Sequence, residues 1–334
     1  MDRRNALKMF TLTGVTAMGL AACGGSSSDA GDSGGDKEDS GKGKAGGLIT
    51  IIVNDPSNPY WKTEGDVAAA QAKKLGYTAK VGAHKGDTNT ENTLIDTAIS
   101  NKSVAILLDP ADADGSIGAV TKADQAGIPV FCINAEINQA GLAKAQLVSN
   151  NAQGASVGAQ EWVKRMKEKG KYVELFGAPS DNNAQTRSNG FKTVLSQYPD
   201  LKKVGKEVAD WDRTEGHDKM QSLIQAHPQI NGVISGNDEM ALGAIAALKE
   251  AGKLKGVVVG GFDGSPDAVT AVKDGTLAYT VLQPVATFAA QAVDMADALI
   301  KDGKKPDQEK QALDCILITK DNADKMTKPF TLEK

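Results

Sequence analysis

Beyond residue 47 the chain alternates short apolar runs with amphipathic stretches. Leu48-Ile49-Thr50-Ile51-Ile52-Val53 has the apolar character of a strand buried on both faces, and helical periodicity follows it to about residue 75. A second strand is predicted at 77–83 and a second helix at 91–100. Val104-Ala105-Ile106-Leu107-Leu108 predicts a third strand. Ile128-Pro129-Val130-Phe131-Cys132-Ile133 predicts a fourth, entered through Gly127 and Pro129. The cycle restarts at 145–148 and continues through 172–176, 232–235, 257–260 and 277–282. Such alternation predicts an α/β fold with parallel sheets covered on both faces. Right-handed connections wind each run into a Rossmann-like layer, and two runs predict two lobes.

The first 47 residues break this pattern. Arg3-Arg4 and Lys8 precede an apolar stretch, 9–22, that is too short for a stable membrane span and reads as a secretory signal over 1–22. Leu20-Ala21-Ala22-Cys23 followed by Gly24 resembles a bacterial lipobox, which implies lipidation of Cys23. The arginine pair leaves general and twin-arginine export both open. Residues 24–47 are mostly Gly, Ser, Asp and Lys. They cannot bury enough surface to offset chain entropy, so 23–47 is expected to be a lipidated cysteine and its flexible tether. This arrangement predicts a protein exported and anchored to the outer face of the cell membrane.

Composition narrows the function. The 334 residues suit two domains of middling size, and 40% hydrophobic with 24% charged residues is a soluble globular balance. A net charge of −4 gives no basic surplus for a phosphate backbone, so no nucleic-acid partner is expected. Three histidines, three cysteines and no Cys-x-x-Cys pair predict no metal site. After the first strand the chain reads Asn54-Asp55-Pro56-Ser57-Asn58-Pro59-Tyr60-Trp61, without the glycines that let a backbone approach a pyrophosphate. No cofactor is therefore expected. No Gly-x-Ser-x-Gly elbow is present and His84, His217 and His227 lie in no triad setting, so no catalytic residue is assigned.

Ligands of open parallel sheets sit beyond the carboxyl ends of the strands. Those positions hold Asn58, Tyr60 and Trp61, then Asp109, then Asn134 and Glu136. The second half offers the segment 181–187, then Trp211, Asp212 and Arg213, then Asn237, Asp238, Asp263 and Gln283. Amides that donate and accept, carboxylates that accept from vicinal hydroxyls, and flat aromatic faces together suit a small polyhydroxylated ligand. Taken singly, an Asn or Asp after a strand is more often a helix cap. Trp162, in a predicted helix, reads as packing. Cys132 and Cys315 read as buried thiols, with a disulfide between them left open.

Four segments carry a family resemblance: Asn58-Pro59-Tyr60-Trp61, Ala209-Asp210-Trp211-Asp212-Arg213, Asn237-Asp238-Glu239-Met240-Ala241-Leu242-Gly243-Ala244 and Gly261-Phe262-Asp263-Gly264. They resemble the ribose-type sugar-binding proteins of bacterial ABC transporters, the periplasmic binding proteins of type I, over essentially 48–334. The resemblance implies two Rossmann-like lobes joined by three crossovers, with lobe one at 48–149 and 284–311 and lobe two at 150–283 and 312–334. It implies a monomer that closes on a sugar or sugar alcohol and docks on an ABC permease. A sensory receptor of the same fold remains open, whereas a repressor would need an N-terminal DNA-binding unit where the signal stands.

Sugar contacts carry over to Asn58, Tyr60, Trp61, Trp211, Asn237, Asp263 and Gln283. Three positions depart. Asn134-Ala135 stands where ribose receptors carry Asp-Arg, and Asp109 where they carry Asn. Counting back from Gly190-Phe191 puts Gln185 at the position of a ligand-binding arginine, with Arg187 two residues on. Fewer charged donors favour a tetritol or another pentose over ribose.

Overall fold

The computed structural model describes residues 46–333. The signal, Cys23 and almost all of the tether lie outside the described residues.

The first sheet is built by β1 (Leu48–Val53), β2 (Thr78–Ala83), β3 (Ala105–Leu108), β4 (Val130–Ile133) and β5 (Ala145–Ser149), linked by α1 (Pro59–Lys74), α2 (Thr88–Ser100) and α3 (Ile117–Gln125). α4 (Asn151–Met166) then leads into a second sheet. Its elements are β6 (Gly170–Phe176), α5 (Asn182–Leu195), β7 (Leu201–Val208), α6 (Arg213–Ala226), β8 (Gly232–Ser235), α7 (Asp238–Glu250) and β9 (Val258–Gly260). After α8 (Pro266–Asp274) and β10 (Thr280–Leu282), the chain returns to the first sheet through α9 (Val285–Asp302) and β11 (Lys310–Leu313), then crosses back to β12 (Ile316–Ile318).

The first sheet has the order β11-β5-β4-β3-β1-β2 and all its pairings are parallel. The second runs β7-β6-β8-β9, also parallel, with β10 bridged beside β9 and paired antiparallel to β12. This is the two-lobed α/β architecture with three crossings, at 149–151, 282–285 and 313–316. Two details differ from the sequence reading. β5 does not begin a new cycle; it pairs with β4, and the second cycle starts at α4. The last crossing falls after Leu313, just beyond the expected residue 311, because β11 pairs with β5 up to that residue.

Why these segments fold so is visible in burial. β3, β4 and β5 are buried at every position, as strands covered by helices on both faces must be. α9 buries Val285, Phe288, Ala289, Ala292, Val293 and Ala296, a stripe at helical spacing, and Gly303 ends it in the left-handed conformation. Each such Val or Phe contributes roughly 1.5–3 kcal/mol of burial. The edge strands β2 and β7 are largely exposed and carry Lys80, and Lys202, Lys203 and Lys206, charges that discourage pairing with another chain. Cys132 and Cys315 are free, buried thiols, the first in β4 and the second in the crossing before β12. Trp162 is fully buried and its indole N–H donates to the carbonyl of Val233 at 3.1 Å, the packing role expected.

Candidate functional site

In both sheets the carboxyl ends of the strands deliver their following residues to one cavity. It is lined by Asn58, Tyr60, Trp61 and Asn134 from the first lobe. The second lobe and the crossing after β10 supply Asp181, Asn183, Arg187, Trp211, Asn237, Asp263 and Gln283. The space between these residues amounts to about 250 Å³, part of it open to solvent.

Capping and lining prove to be compatible roles. Asn58 Oδ1 accepts from the Tyr60 N–H at 2.9 Å and caps α1, Asp181 caps α5, and Asn237 Oδ1 accepts from the Met240 N–H to cap α7. In each asparagine the carbonyl oxygen serves the helix while the amide nitrogen remains for another partner. Asn237 Nδ2 donates to the Trp211 carbonyl at 3.1 Å and so ties the ends of β7 and β8 together.

Arg187 organises the second lobe's wall. Its Nε donates to Asn151 Oδ1 at 2.7 Å and its Nη1 to the Gly236 carbonyl at 2.9 Å. Nη1 also stands 3.6 Å from Asp263 Oδ1. The guanidinium lies 4.0 Å from the Phe262 ring centre and 5.2 Å from that of Trp211. Asp263 further accepts from Gln283 Nε2 at 2.7 Å. Burial pushes the Asp263 carboxyl well above the usual carboxylate range, and Arg187 pulls it back.

The backbone is strained where the wall turns: Asn134, Trp211 and Asp263 have φ of 65°, 66° and 134°. Gly177 is required beside Trp211, because a Cβ there would meet the indole ring at 2.1 Å. The lobes bond directly across the cavity. Asn183 Nδ2 donates to the Asn134 carbonyl at 3.0 Å, and within the second lobe Asn151 Nδ2 donates to Asn183 Oδ1 at 2.7 Å. Two buried polar atoms on the wall, Trp61 Nε1 and Gln283 Oε1, have no hydrogen-bond partner among the described residues.

The structure corrects one expected site residue, Gln185, and places Asp109 on a space adjoining this cavity, with Asn58, Trp61 and Asn134. Gln185 is exposed, bonds to Asn189 at 2.8 Å and does not reach the cavity. Arg187 takes the inward position, since two helical residues turn the side chain by about 200°. Asp109 is buried but stands behind Asn134, whose Nδ2 donates to Asp109 Oδ2 at 3.0 Å. Asn58, Tyr60, Trp61, Asn134, Trp211, Asn237, Asp263 and Gln283 all line the cavity, whereas the strand-end residues Glu136, Asp212, Arg213 and Asp238 do not. Asn151 and Asn183 were not singled out by residue type. Their signal is position, immediately after β5 and within the segment following β6.

The chemistry on offer is recognition. Amides, two carboxylates, one guanidinium and two indoles face one small cavity. With a single cation among them, that lining favours neutral hydroxyls over phosphates or acids.

A family model described as "Periplasmic binding protein domain" matches residues 49–305. The chain belongs to the periplasmic binding protein family. It is accordingly a binding protein and not an enzyme. The D-apiose import binding protein of Actinobacillus succinogenes is 49% identical over 86% of this chain and 93% of its own. The ribose import binding protein of Salmonella typhimurium is 34% identical over 81% of this chain and 90% of its own. Among solved structures, an ABC transporter solute-binding protein of Actinobacillus succinogenes with bound D-allose superposes with a TM-score of 0.77. It is 27% identical and covers 83% of this chain and 99% of that one.

Proposed function

We propose that this periplasmic binding protein is the sugar receptor of an ABC importer and that its ligand is a five-carbon sugar such as D-apiose. What supports the reading is the wall of amides, carboxylates, guanidinium and indoles between two lobes, in a chain closely similar to an apiose import binding protein. In the proposed cycle the sugar enters an open cleft, the lobes close on it by hinge motion, and the closed monomer docks on the permease. Trp61 and Trp211 cover the carbon skeleton. Asn237, Asp263 and Gln283 meet hydroxyls from one side, and Asn58, Tyr60 and Asn134 from the other. Arg187 supplies the charged donor. With that arginine in place the wall loses only the Asp-Arg pair replaced by Asn134-Ala135, so a pentose ranks ahead of a tetritol.

Calorimetric titration of the purified protein with D-apiose, D-ribose, erythritol, xylitol and a sugar acid tests this. Micromolar or tighter binding, about −8 kcal/mol, is expected for D-apiose, with ribose at least about tenfold weaker and the acid silent. Preference for ribose or erythritol would overturn the ligand. Silence throughout would overturn the sugar.

The same reading includes export on the 1–22 signal and anchoring through Cys23 at the outer face of the membrane. Cys23→Ser is expected to move the protein from the membrane fraction to the soluble one with its sugar affinity unchanged. Wild-type protein of unmodified mass in the soluble fraction would refute the anchor.

A further inference from the structure

Behind the first lobe's wall lies a carboxyl pair that no sugar contact requires. Glu64, on α1, is fully buried, and neither of its oxygens meets a donor among the described residues. Its neighbour is Asp109, itself 2% exposed, close enough for a side-chain hydrogen bond. Two ionised carboxylates only accept, so this pair bonds only if a proton sits between them. Among the described residues no buried cation acts on it; Lys85 lines the space beside Asp109 but is exposed to solvent. Of the titratable groups facing it, Tyr60 comes from α1, Asp181 from the start of α5, and His84 follows β2 and bonds the Asp109 carbonyl at 2.8 Å. Arg187 is engaged with Asp263. Burial, and then the Asp109 charge, raises Glu64 well above the usual range; burial, and then the Asp181 charge, raises Asp109, which its hydrogen bonds with Asn134 and Glu64 pull back.

We propose that Glu64 is a positioning residue: it donates a shared proton to Asp109, and the singly charged pair fixes the Asn134 amide that faces the sugar. Asp109 Oδ2 takes one Asn134 Nδ2–H at 3.0 Å, and Tyr60 Oη donates to Asn134 Oδ1 at 2.9 Å. The amide is thereby held in one of its two flips, presenting its second N–H on one side and its free lone pair on the other. Residue 134 has a left-handed backbone with φ of 65°, and these two are the hydrogen bonds its side chain makes among the described residues. The pair thus sets donor and acceptor order at the cavity without touching the ligand. This rests on the sugar-receptor reading for its binding consequence, though not for the shared proton itself.

The sign follows from the raised titration. The melting temperature falls as pH climbs from the ordinary carboxylate range up to the pair's raised value, whereas affinity holds over that range and falls once the shared proton is lost on its alkaline side. Three measurements on the purified protein test this. The infrared spectrum of the ligand-free protein minus that of Glu64→Gln is expected to contain one protonated carboxylic acid band at neutral pH. Glu64→Gln, whose amide still donates to Asp109, is expected to keep D-apiose affinity within about twofold and to lose the alkaline decline. Glu64→Met, of similar volume but without a donor, is expected to weaken D-apiose binding about tenfold. Absence of the band, or equal losses in the Gln and Met variants, would overturn the proposal. If no sugar binds even the wild type, the receptor reading fails and the infrared difference alone decides the pair.

Discussion

Arg187→Ala is expected to abolish measurable sugar binding and to lower the melting temperature sharply, the largest effect of any single change in the cavity. The reason lies in what the substitution leaves behind. Arg187 is 3% exposed and satisfies Asn151, the Gly236 carbonyl and Asp263 at once. Removing one partner of a buried ion pair costs roughly 3–5 kcal/mol, since the surviving charge has neither water nor counterion. Asp263 then takes up a proton more readily, because Arg187 is what holds its raised carboxyl down. It thereby ceases to be an acceptor of full strength for a hydroxyl. Arg187→Lys separates charge from geometry. A lysine restores the cation but cannot fork to Asn151 and Gly236 while lying flat on Phe262 and Trp211. It is expected to recover most of the melting temperature and little of the affinity. Equal recovery of both would mean that Arg187 acts on the fold alone. Thermal melts and calorimetry on the two variants read the distinction.

Much of this arrangement is legible in the sequence, and the misses have physical causes. Strands buried on both faces announce themselves as unbroken apolar runs, so β1, β3, β4 and β8 stand out. β7 does not, because an edge strand with Lys202, Lys203, Gly205, Lys206 and Glu207 is selected for solvent and against self-association. β5 looks like the start of a new cycle because its neighbour in the sheet is fixed by pairing, which the chain order does not reveal. The cavity residues are readable as a class, since any polar side chain just after a parallel strand points toward the same end of the sheet. Which of them faces inward is another matter. Within α5, Asn183, Arg187, Gly190, Phe191 and Val194 form the buried stripe, and stepping back four residues from Phe191 reaches Arg187. Aligning by count alone reached Gln185 on the opposite face. Glu64 illustrates the reverse limit: a glutamate in an amphipathic helix reads as solvent-facing, and only the packing of α1 over β1 and against α9 makes it a buried acid.

Trp211→Ala is expected to weaken sugar binding at least about tenfold and to cost stability as well, roughly 3–5 kcal/mol for a buried tryptophan. The indole is 5% exposed, rests on Gly177 and on the Arg187 guanidinium, and belongs to the same apolar cluster as Leu175 and Met240. A loss of affinity in this variant could therefore come from the missing ring or from a loosened wall. Two controls divide these. Gly177→Ala leaves the indole in the chain but places a methyl group where the ring lies, displacing it without removing it. Trp211→Phe keeps an aromatic face of smaller area at the same place. If the ring covers the sugar's carbon skeleton, Trp211→Phe retains more affinity than Trp211→Ala, while Gly177→Ala loses affinity despite an intact tryptophan. Tryptophan fluorescence adds a direct readout. Trp162, buried outside the cavity's lining with its N–H on the Val233 and Val258 carbonyls, should be unaffected by ligand, so a ligand-induced change is expected from Trp61 or Trp211. Persistence of the full wild-type change in Trp211→Phe would leave Trp61 as the sole reporter and remove Trp211 from the ligand's surface.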